Sequence, residues 1–419
     1  MEKYVINGGK KLEGEIKVAG AKNLALKIFP ATILCAGSCL VKNVPEIEDM
    51  QRLIELMEDL GVKITKQNQG EYSIDTAVIN KTELREDLVR QLRASIMLAG
   101  PILAKHGEIT LAHPGGCVIG QRPIDLFLEG FQKLGAEMID NGSTYTLKAK
   151  RLKGAKIILP KISVTVTENL IMAASLAEGI TTIRNAAMEP EIIALAEFLN
   201  KQGAKITGAG TPEVIIEGVE KLNPCDFTII PDRLETGTFT MLGLITNSYL
   251  SITNCEPEHI ETLIYSLEKA GAKLEIGKDF IKTFPSQLTA TNIITHEYPG
   301  FPTDLQAPFA VLMTQAQGLS LIHETIFEAR LFYTDILKQM GADIIMCDPH
   351  RVVINGPTKL YGRKVSSPDL RAGMALVLAA LAAQSTTTIE NIYQINRGYE
   401  NIVSRLQKIG ADIKQINES

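Results

Sequence analysis

Apolar residues recur along this chain with helical spacing, and the pattern is repeated six times. In the first copy Leu53, Leu56, Met57 and Leu60 are placed as on one face of an amphipathic helix. Each such stretch ends in a five-residue phrase whose second residue is Gly and whose fourth is charged. The phrases begin at residues 60, 134, 202, 270, 340 and 409, so they are spaced by 74, 68, 68, 70 and 69 residues. Spacing this regular indicates an internal structural repeat.

Two helices and several strands are predicted in each repeat. The Gly of the phrase follows the amphipathic helix, where a positive φ is needed, and a strand comes next. Alternating stretches upstream of this helix, such as Thr181–Arg184, predict another strand. Still further upstream is a helix so apolar that we expect it in the interior, at residues 23–36, 91–105, 167–178, 235–246, 304–316 and 369–383. The predicted order is therefore strand, buried helix, strand, exposed helix and strand, and six repeats make two domains of three.

The composition is that of a globular enzyme. The chain has 419 residues, of which 45% are hydrophobic and 22% charged, which favours two domains. Its formal net charge of −5 argues against a general nucleic-acid-binding protein. No secretory signal is visible, and the most apolar run, residues 374–383, is too short to cross a bilayer. Six cysteines without a CxxC pair are typical of free thiols. We expect a cytoplasmic protein that binds neither nucleic acid nor membrane.

Residues that differ between the repeats are the candidates for a functional site, because shared residues serve the scaffold. Basic residues stand at the predicted starts of three buried helices: Lys22 (followed by Asn23), Arg93 and Arg371. A helix N-terminus offers free N–H groups and a positive dipole, so these positions favour an anionic ligand. The alternative for any one of them is a structural ion pair. Asp304 stands at another such start, and the loops before three exposed helices add candidates at residues 113–125, 324–330 and 393–400.

Cys117 is the best candidate for a reactive thiol. Gly115, Gly116 and Gly120 would let the backbone approach a ligand closely, and the nearby charge of Arg122 favours the thiolate.

The other cysteines are interpreted differently. Cys255 occupies the corresponding loop of the fourth repeat, but it lacks flanking glycines, and Glu256 and Glu258 would raise the pKa of its thiol. Small buried apolar side chains are expected at Cys35, Cys39, Cys225 and Cys347.

Motifs for several other chemistries are missing from the sequence. It has no G-x-S-x-G elbow, H-E-x-x-H motif, Walker A loop or G-x-G-x-x-G fingerprint. The six histidines are scattered without the spacing of metal ligands. We therefore expect neither a metal nor a cofactor.

Several motifs together resemble the family of UDP-N-acetylglucosamine 1-carboxyvinyltransferases, which catalyse the first committed step of peptidoglycan synthesis. The resemblance extends from Met1 to about Asp412. It is carried by Gly20–Asn23, LRAS around Arg93, PGGCVIGQRPID around Cys117, PDRLETGTF from Pro231, FPTDLQA from Phe301 and NRGYE from Asn396.

The resemblance implies an α/β fold of two domains, each an inside-out α/β barrel made of three repeats of about 70 residues with the apolar helices inside. Residues 22–230 would form the domain with the cysteine loop. Residues 1–21 and 231–419 would form the second domain. The chain would cross between them near residues 20–22 and 229–233, and the active site would lie in the cleft.

The resemblance also implies the substrates and the role of each residue. Cys117 would be the general acid that protonates phosphoenolpyruvate, and Asp304 the base that takes the proton of the sugar 3-hydroxyl. Phosphoenolpyruvate would be held by Lys22, Asn23, Arg122, Arg330, Arg371 and Arg397, of which Lys22 and Arg397 also act in catalysis. UDP-N-acetylglucosamine would be held by Arg93, Arg122, Pro123, Ile124, Asp125, Leu126, Lys161, Ser163, Val164, Asp304 and Ile326.

The chain departs from the family pattern at three places. Phe127 stands where the family usually has His, Thr165 where it has Gly, and Asn396 where it has Asp. These departures concern details of nucleotide contact and loop closure.

Three alternatives remain open. The 3-phosphoshikimate 1-carboxyvinyltransferases share the six-repeat organisation, but not the cysteine loop. A catalytically idle regulator that binds a nucleotide sugar is a second alternative, and the complete set Lys22, Cys117, Arg122, Asp304 and Arg397 argues against it. An interaction scaffold is the third, since repeats commonly serve that purpose.

Overall fold

The computed structural model describes residues 2–112 and 124–417, which form two compact lobes. Lobe A contains residues 20–112 and 124–230, and lobe B contains residues 2–19 and 231–417. Each lobe has a hydrophobic core of its own. No helix among the described residues is long and apolar enough to cross a membrane.

The helices of the described residues alternate with short strands. The α-helices are α1 (Lys22–Ala31), α2 (Glu48–Asp59), α3 (Glu86–Gln91), α4 (Ala99–His106), α5 (Asp125–Lys133), α6 (Val164–Ala174), α7 (Pro190–Lys201), α8 (Arg233–Ile245), α9 (Glu261–Lys269), α10 (Gln306–Met313), α11 (Thr334–Gln339), α12 (Leu370–Ala382), α13 (Tyr393–Asn396) and α14 (Ile402–Lys408). Short 3₁₀ helices cover Thr32–Leu34, Arg93–Leu98, Pro257–Ile260 and Thr303–Leu305.

The strands of the same residues are two to six residues long. The first twelve are β1 (Glu2–Asn7), β2 (Glu13–Lys17), β3 (Ser38–Lys42), β4 (Lys63–Asn68), β5 (Glu71–Asp75), β6 (Glu108–Ala112), β7 (Glu137–Asp140), β8 (Thr144–Lys148), β9 (Lys156–Ile158), β10 (Ile180–Arg184), β11 (Lys205–Thr207) and β12 (Glu213–Glu217). The others are β13 (Phe227–Thr228), β14 (Tyr249–Thr253), β15 (Lys273–Ile276), β16 (Phe280–Phe284), β17 (Ile293–Ile294), β18 (Gly318–His323), β19 (Asp343–Asp348), β20 (Arg351–Gly356), β21 (Lys364–Ser366), β22 (Thr386–Glu390) and β23 (Asp412–Asn417).

One strand order recurs in the four-stranded sheets of the described residues. It begins with a parallel pair and continues with two antiparallel strands, as in β9-β10-β12-β11 of lobe A and β17-β18-β20-β19 of lobe B. The parallel strands of these two sheets are joined through the apolar helices α6 and α10, since a parallel pair needs a crossover. The α/β class is confirmed.

The predicted buried helices occur in both lobes, although the one expected at residues 91–105 is divided into the 3₁₀ helix Arg93–Leu98 and α4. In lobe A, nine residues of α6 are buried. Every residue of α8 and α10 is buried, as are eleven residues of α12. The amphipathic helix α7 was predicted to be exposed, and this is only partly right. It packs against α1 and α6, which leaves just Ile193, Glu197, Asn200 and Lys201 exposed.

The glycine of each repeated phrase has the backbone conformation that the pattern predicted. A helix ends before it and a strand begins after it, and the positive φ between them suits a residue without Cβ. The φ angles are 103° at Gly61, 91° at Gly135, 106° at Gly203, 88° at Gly271, 104° at Gly341 and 93° at Gly410.

The N-terminal strand completes a sheet from the other end of the chain. In lobe B, β1 lies between β22 and β23 and is antiparallel to both, with Tyr4 opposite Ile389 and Gln415. Strand β2 likewise pairs in parallel with β14, although more than 200 residues of lobe A separate them in sequence. The N-terminal residues are therefore an integral part of lobe B.

Candidate active site

The predicted ligand residues of lobe A stand at the starts of helices. Lys22 is the first residue of α1 and is buried, and Asn23 follows it half-buried. Arg93 opens the 3₁₀ helix Arg93–Leu98. Ser163 precedes α6, and Val164 is its first residue. The positions of Lys22 and Arg93 agree with the predicted helix starts, which is where backbone N–H groups lack an intrahelical partner.

The remaining candidates of lobe A lie near or within the cysteine loop. Lys161 is exposed ahead of α6, and Ile124 immediately precedes α5, in which Asp125 and Leu126 are the first two residues. Three predicted residues lie outside the described part of the chain: Cys117, Arg122 and Pro123.

Lys22 has an acidic partner that the sequence patterns missed. Its Nζ lies 2.7 Å from Oδ2 of Asp49, and both side chains are buried. Asp49 lies in the first turn of α2, next to Glu48, where an acidic side chain is favoured by the helix dipole. That general preference was the only signal in the sequence, and it does not point to Lys22.

A second buried contact between a lysine and a glutamic acid lies one helical turn further into lobe A. Nζ of Lys27 is 3.4 Å from Oε2 of Glu168, whose side chain is fully buried. Burial raises the pKa of Glu168 to about 8, against the lowering effect of Lys27. Lys27 follows Asn23 by four residues, and Glu168 follows Val164 by four. The pair therefore links α1 and α6 beneath two predicted substrate contacts.

Three predicted residues of lobe B form one charged cluster. Nε of Arg371 donates to Oδ2 of Asp304 at 3.0 Å, and Nη2 of Arg330 lies 2.8 Å from Oδ1. Both arginines are buried, whereas Asp304 is half-buried. The structure thus brings together a candidate base and two candidate anion ligands that are far apart in sequence.

This cluster determines the charge of Asp304. Burial by itself raises the pKa of a carboxyl group, but the charges of Arg371 and Arg330 outweigh it. The pKa of Asp304 is consequently well below its usual range, so the carboxylate is ionised near neutral pH. Nη1 of Arg330 is buried without a hydrogen-bond partner among residues 2–112 and 124–417, which leaves a donor available for an additional acceptor.

The cluster continues into the segment that carries Arg397. Nη1 of Arg371 donates to the hydroxyl of Tyr399 at 3.4 Å, and that hydroxyl lies 3.2 Å from Oγ1 of Thr238 in α8. Arg397 follows α13 directly, is half-buried, and donates from Nη1 to Oε1 of Gln394 at 3.3 Å. Tyr399 therefore connects the Asp304 cluster with the segment of Arg397.

The positions that depart from the family pattern have ordinary structural roles. Phe127 is buried in the core of lobe A. Asn396 accepts a hydrogen bond from the hydroxyl of Tyr4 in β1. Thr165 is half-buried in the first turn of α6.

The described cysteines fit the predictions except at Cys347, which is exposed, and in part at Cys225, which is less buried than expected. Cys35, Cys39 and Cys255 are buried, and Cys225 is half-buried. Burial first, and then Asp279 and Glu256, raise the pKa of Cys255 to about 11, as expected for an unreactive thiol. The prediction for Cys347 was wrong: its side chain is exposed on β19. No cluster of potential metal ligands occurs in the described part of the chain.

Ile326 and Arg330 lie on the segment that connects β18 to α11. Ile326 is half-buried, and its N–H donates to Oε1 of Glu324 at 2.8 Å. Glu324 is the first residue of the candidate loop 324–330, but the sequence patterns assigned it no role of its own.

Known proteins resemble the chain over its full length. The family model described as EPSP synthase (3-phosphoshikimate 1-carboxyvinyltransferase) matches residues 6–406. A UDP-N-acetylglucosamine 1-carboxyvinyltransferase from Desulfosudis oleivorans is 43% identical and covers 99% of this chain and 100% of the relative. A protein of the same name from Campylobacter hominis is 45% identical and covers 100% of both.

Solved structures share the fold. The enolpyruvyl transferase NikO from Streptomyces tendae has a TM-score of 0.90 at 24% identity, and the match covers 100% of this chain and 99% of NikO. An EPSP synthase from Acinetobacter baumannii has a TM-score of 0.77 at 18% identity, with 100% of both chains covered.

Proposed function

Because the chain belongs to the UDP-N-acetylglucosamine 1-carboxyvinyltransferase family of enolpyruvyl transferases, we propose that it transfers the enolpyruvyl group of phosphoenolpyruvate to UDP-N-acetylglucosamine. The acceptor is the 3-hydroxyl of the sugar, and phosphate is released. This reaction is the first committed step of peptidoglycan synthesis. The observation that carries the proposal beyond the family is the cluster of Asp304, Arg330 and Arg371, which combines a carboxylate with two buried cations.

The reaction proceeds by addition and elimination. Cys117 donates a proton to the methylene carbon of phosphoenolpyruvate, and the sugar 3-oxygen bonds to the neighbouring carbon while Asp304 takes its proton. The tetrahedral intermediate then returns a proton of the new methyl group to the Cys117 thiolate and expels phosphate, which restores the double bond. Positioned acids and bases typically contribute about 10²–10⁴-fold each. Lys22, Arg122 and Arg397 stabilise the charge of the departing phosphate.

The ion pairs of Asp304 suggest how its basicity is controlled. With both arginines on the carboxylate, its low pKa makes it a weak base. Phosphoenolpyruvate is an anion that competes for the same guanidinium groups, and the unpartnered Nη1 of Arg330 supports an additional acceptor there. Substrate binding thereby draws positive charge away from Asp304 and raises its pKa when a base is needed.

The substrates are assigned to the residues that the family implies. Phosphoenolpyruvate engages Lys22, Asn23, Arg122, Arg330, Arg371 and Arg397. UDP-N-acetylglucosamine engages residues at helix starts, whose N–H groups suit its diphosphate, as well as Asp304 and Ile326.

The remaining features of the proposal follow from the same family. Each lobe is an inside-out α/β barrel of three repeats, and the expected domain boundary between residues 21 and 22 is two residues from the lobe boundary between residues 19 and 20. The buried helices and the six positive-φ glycines support this arrangement. Free thiols at all five described cysteines support a reducing cytoplasm as the place where the protein works.

The deciding experiment is phosphate release from phosphoenolpyruvate with each candidate acceptor. Release with UDP-N-acetylglucosamine, and none with 3-phosphoshikimate, is the expected result. The reverse preference would assign the chain to the shikimate reaction, a reading kept open by the description of the matching family model. Tight binding of the UDP-sugar without any phosphate release would instead identify a regulator.

A further inference from the structure

Glu324 is a fully buried carboxylate that directly follows β18. Its main chain is anchored to the turn between β19 and β20. The N–H of Glu324 donates to the carbonyl oxygen of His350 at 2.8 Å, and Nδ1 of His350 lies 3.1 Å from the carbonyl oxygen of Glu324. The side chain therefore starts from a backbone position that is held on both sides.

The two carboxylate oxygens of Glu324 bind different segments. Oε1 accepts the N–H groups of Ile326 at 2.8 Å and Phe327 at 3.1 Å, which closes a turn at the start of the 324–330 segment. Oε2 accepts the hydroxyl of Thr303 at 2.8 Å. A buried carboxylate is tolerated when such donors satisfy it, and hydrogen bonds to a charged group are stronger than neutral ones.

Both segments lead to the Asp304 cluster. Thr303 immediately precedes Asp304, and the 324–330 segment ends at Arg330, which forms an ion pair with Asp304. Asp304 and Arg330 are thus connected twice, directly by their ion pair and indirectly through Thr303 and Glu324. Because Asp304 and Arg330 belong to different segments, the distance between them depends on Glu324, which connects the segments.

We propose that Glu324 is a positioning residue that fixes the distance and orientation between Asp304 and Arg330. The hydrogen bond that Glu324 accepts from Thr303 holds the Asp304 segment in place relative to the Arg330 segment. The inference rests on the proposed function, in which Asp304 is the base and Arg330 binds phosphoenolpyruvate. Glu324 takes no proton from substrate and makes no substrate contact. Its effect on the reaction passes through the placement of the two other residues.

Three substitutions separate the parts of this arrangement. Glu324→Ala removes every contact of the carboxylate and should lower kcat about 100-fold, the scale of a displacement of about 1 Å at a reacting centre. Glu324→Gln keeps an oxygen for the two N–H groups, and its amide can donate to the Thr303 hydroxyl, so kcat should return to within about 3-fold of wild type. Thr303→Val leaves the turn closed and breaks only the connection, which should lower kcat about tenfold.

A double-mutant cycle tests whether Thr303 acts through Glu324. If it does, Thr303→Val should add little in the Glu324→Ala background, so the two losses in kcat should not multiply. Thr387→Val is the matched control, because Thr387 of β22 is a buried threonine of the same lobe whose hydroxyl has no partner among the described residues. It should retain wild-type kcat.

The measurements distinguish a positioning role of Glu324 from a general loss of stability. All variants are assayed for phosphate release, and their urea midpoints and circular dichroism spectra establish that they are folded. Affinity for UDP-N-acetylglucosamine alone, measured by calorimetry, should change less than kcat in Thr303→Val. Wild-type kcat in Thr303→Val, or losses that multiply with those of Glu324→Ala, would overturn the proposal. Wild-type protein that releases no phosphate would instead reject the proposed function, so the two failures are distinguishable.

Discussion

Lys22 and Asp49 form a buried ion pair in lobe A, with 2.7 Å between Nζ and Oδ2. Each stands in the first turn of its own helix, α1 and α2. The carboxylate thus holds the ammonium group near the start of α1, where the phosphate of phosphoenolpyruvate is proposed to bind. The pair makes Asp49 a part of the proposed site that no motif contains.

Removing Asp49 should therefore affect both stability and substrate binding. Asp49→Ala leaves a buried ammonium group without its carboxylate, and breaking a buried pair in this way costs about 3–5 kcal/mol. We expect a lower urea midpoint and a higher KM for phosphoenolpyruvate. The control is Asp335→Ala, which breaks the exposed pair with Lys338 and should cost less than about 1 kcal/mol. Equal midpoints for the two variants would contradict a stabilising role of the pair.

The depressed pKa of Asp304 should appear in the acid stability of the protein. An unfolded aspartate takes up a proton near pH 3.9, whereas folded Asp304 stays ionised to lower pH. The contribution of ionised Asp304 to the free energy of unfolding is therefore complete above about pH 4, and it is lost as the pH falls towards the pKa of the folded state. Between these limits the free energy of unfolding should fall about 1.4 kcal/mol per pH unit more steeply in wild type than in Asp304→Asn.

Urea unfolding at several pH values between about 3 and 6 measures this difference. Above about pH 5 the two curves should run parallel, because Asp304 is ionised in both the folded and the unfolded state. Parallel curves below pH 4 as well would show that the two arginines do not stabilise the ionised form. Asp304→Asn should also lose nearly all phosphate release, because an amide cannot act as the base.

Cys117 should react selectively with a phosphonate epoxide, a small electrophile shaped like phosphoenolpyruvate. A thiolate is the reactive form, and the charge of Arg122, five residues further along the chain, favours it. Exposed Cys347 is the demanding control, because its side chain is accessible and it is not among the proposed ligand residues. Cys255 is protected by burial and by its raised pKa. Mass spectrometry after brief treatment should find the adduct on Cys117. Equal labelling of Cys347 would show that the accessibility of a thiol alone determines whether it reacts with the epoxide.

Substitution of Cys117 separates a proton donor from a structural side chain. Cys117→Ala should lose about 10²–10⁴-fold in turnover, the usual contribution of a general acid. Cys117→Asp should retain much more, because a carboxyl group with a raised pKa can carry the proton, and it should resist the epoxide. Normal turnover of the alanine variant would remove Cys117 from the mechanism.

Arg397→Ala should weaken the handling of phosphoenolpyruvate without altering the affinity for the UDP-sugar. Arg397 follows α13 in lobe B, whereas the proposed diphosphate contacts lie at helix starts of lobe A. Calorimetry with UDP-N-acetylglucosamine alone should give a near wild-type affinity, and steady-state kinetics should show a raised KM for phosphoenolpyruvate. Arg184→Ala, which removes an exposed arginine paired with Glu213, is the control and should leave both values unchanged. A large loss of UDP-sugar affinity in Arg397→Ala would contradict the assignment.

The agreement between sequence patterns and structure follows from the range of the interactions involved. The positive φ of Gly61 and the burial of α8 depend on neighbours within a few residues, so a local pattern predicts them. Cys347 was misassigned because its exposure depends on which face of β19 is covered. Helix α7 was more buried than predicted because it packs against both α1 and α6.

The sequence by itself determined the six repeats, the apolar helices that form the cores, the turns that end the amphipathic helices, and the motifs that identify the family. The tertiary structure decided which charges meet: Lys22 with Asp49, Arg330 and Arg371 with Asp304, and Thr303 with Glu324. Most of these partners are tens of residues apart in sequence, and neither member of a pair carries a local sign of the other. Their meeting follows from the packing of whole helices and strands, which bury the charges and thereby make each pairing necessary.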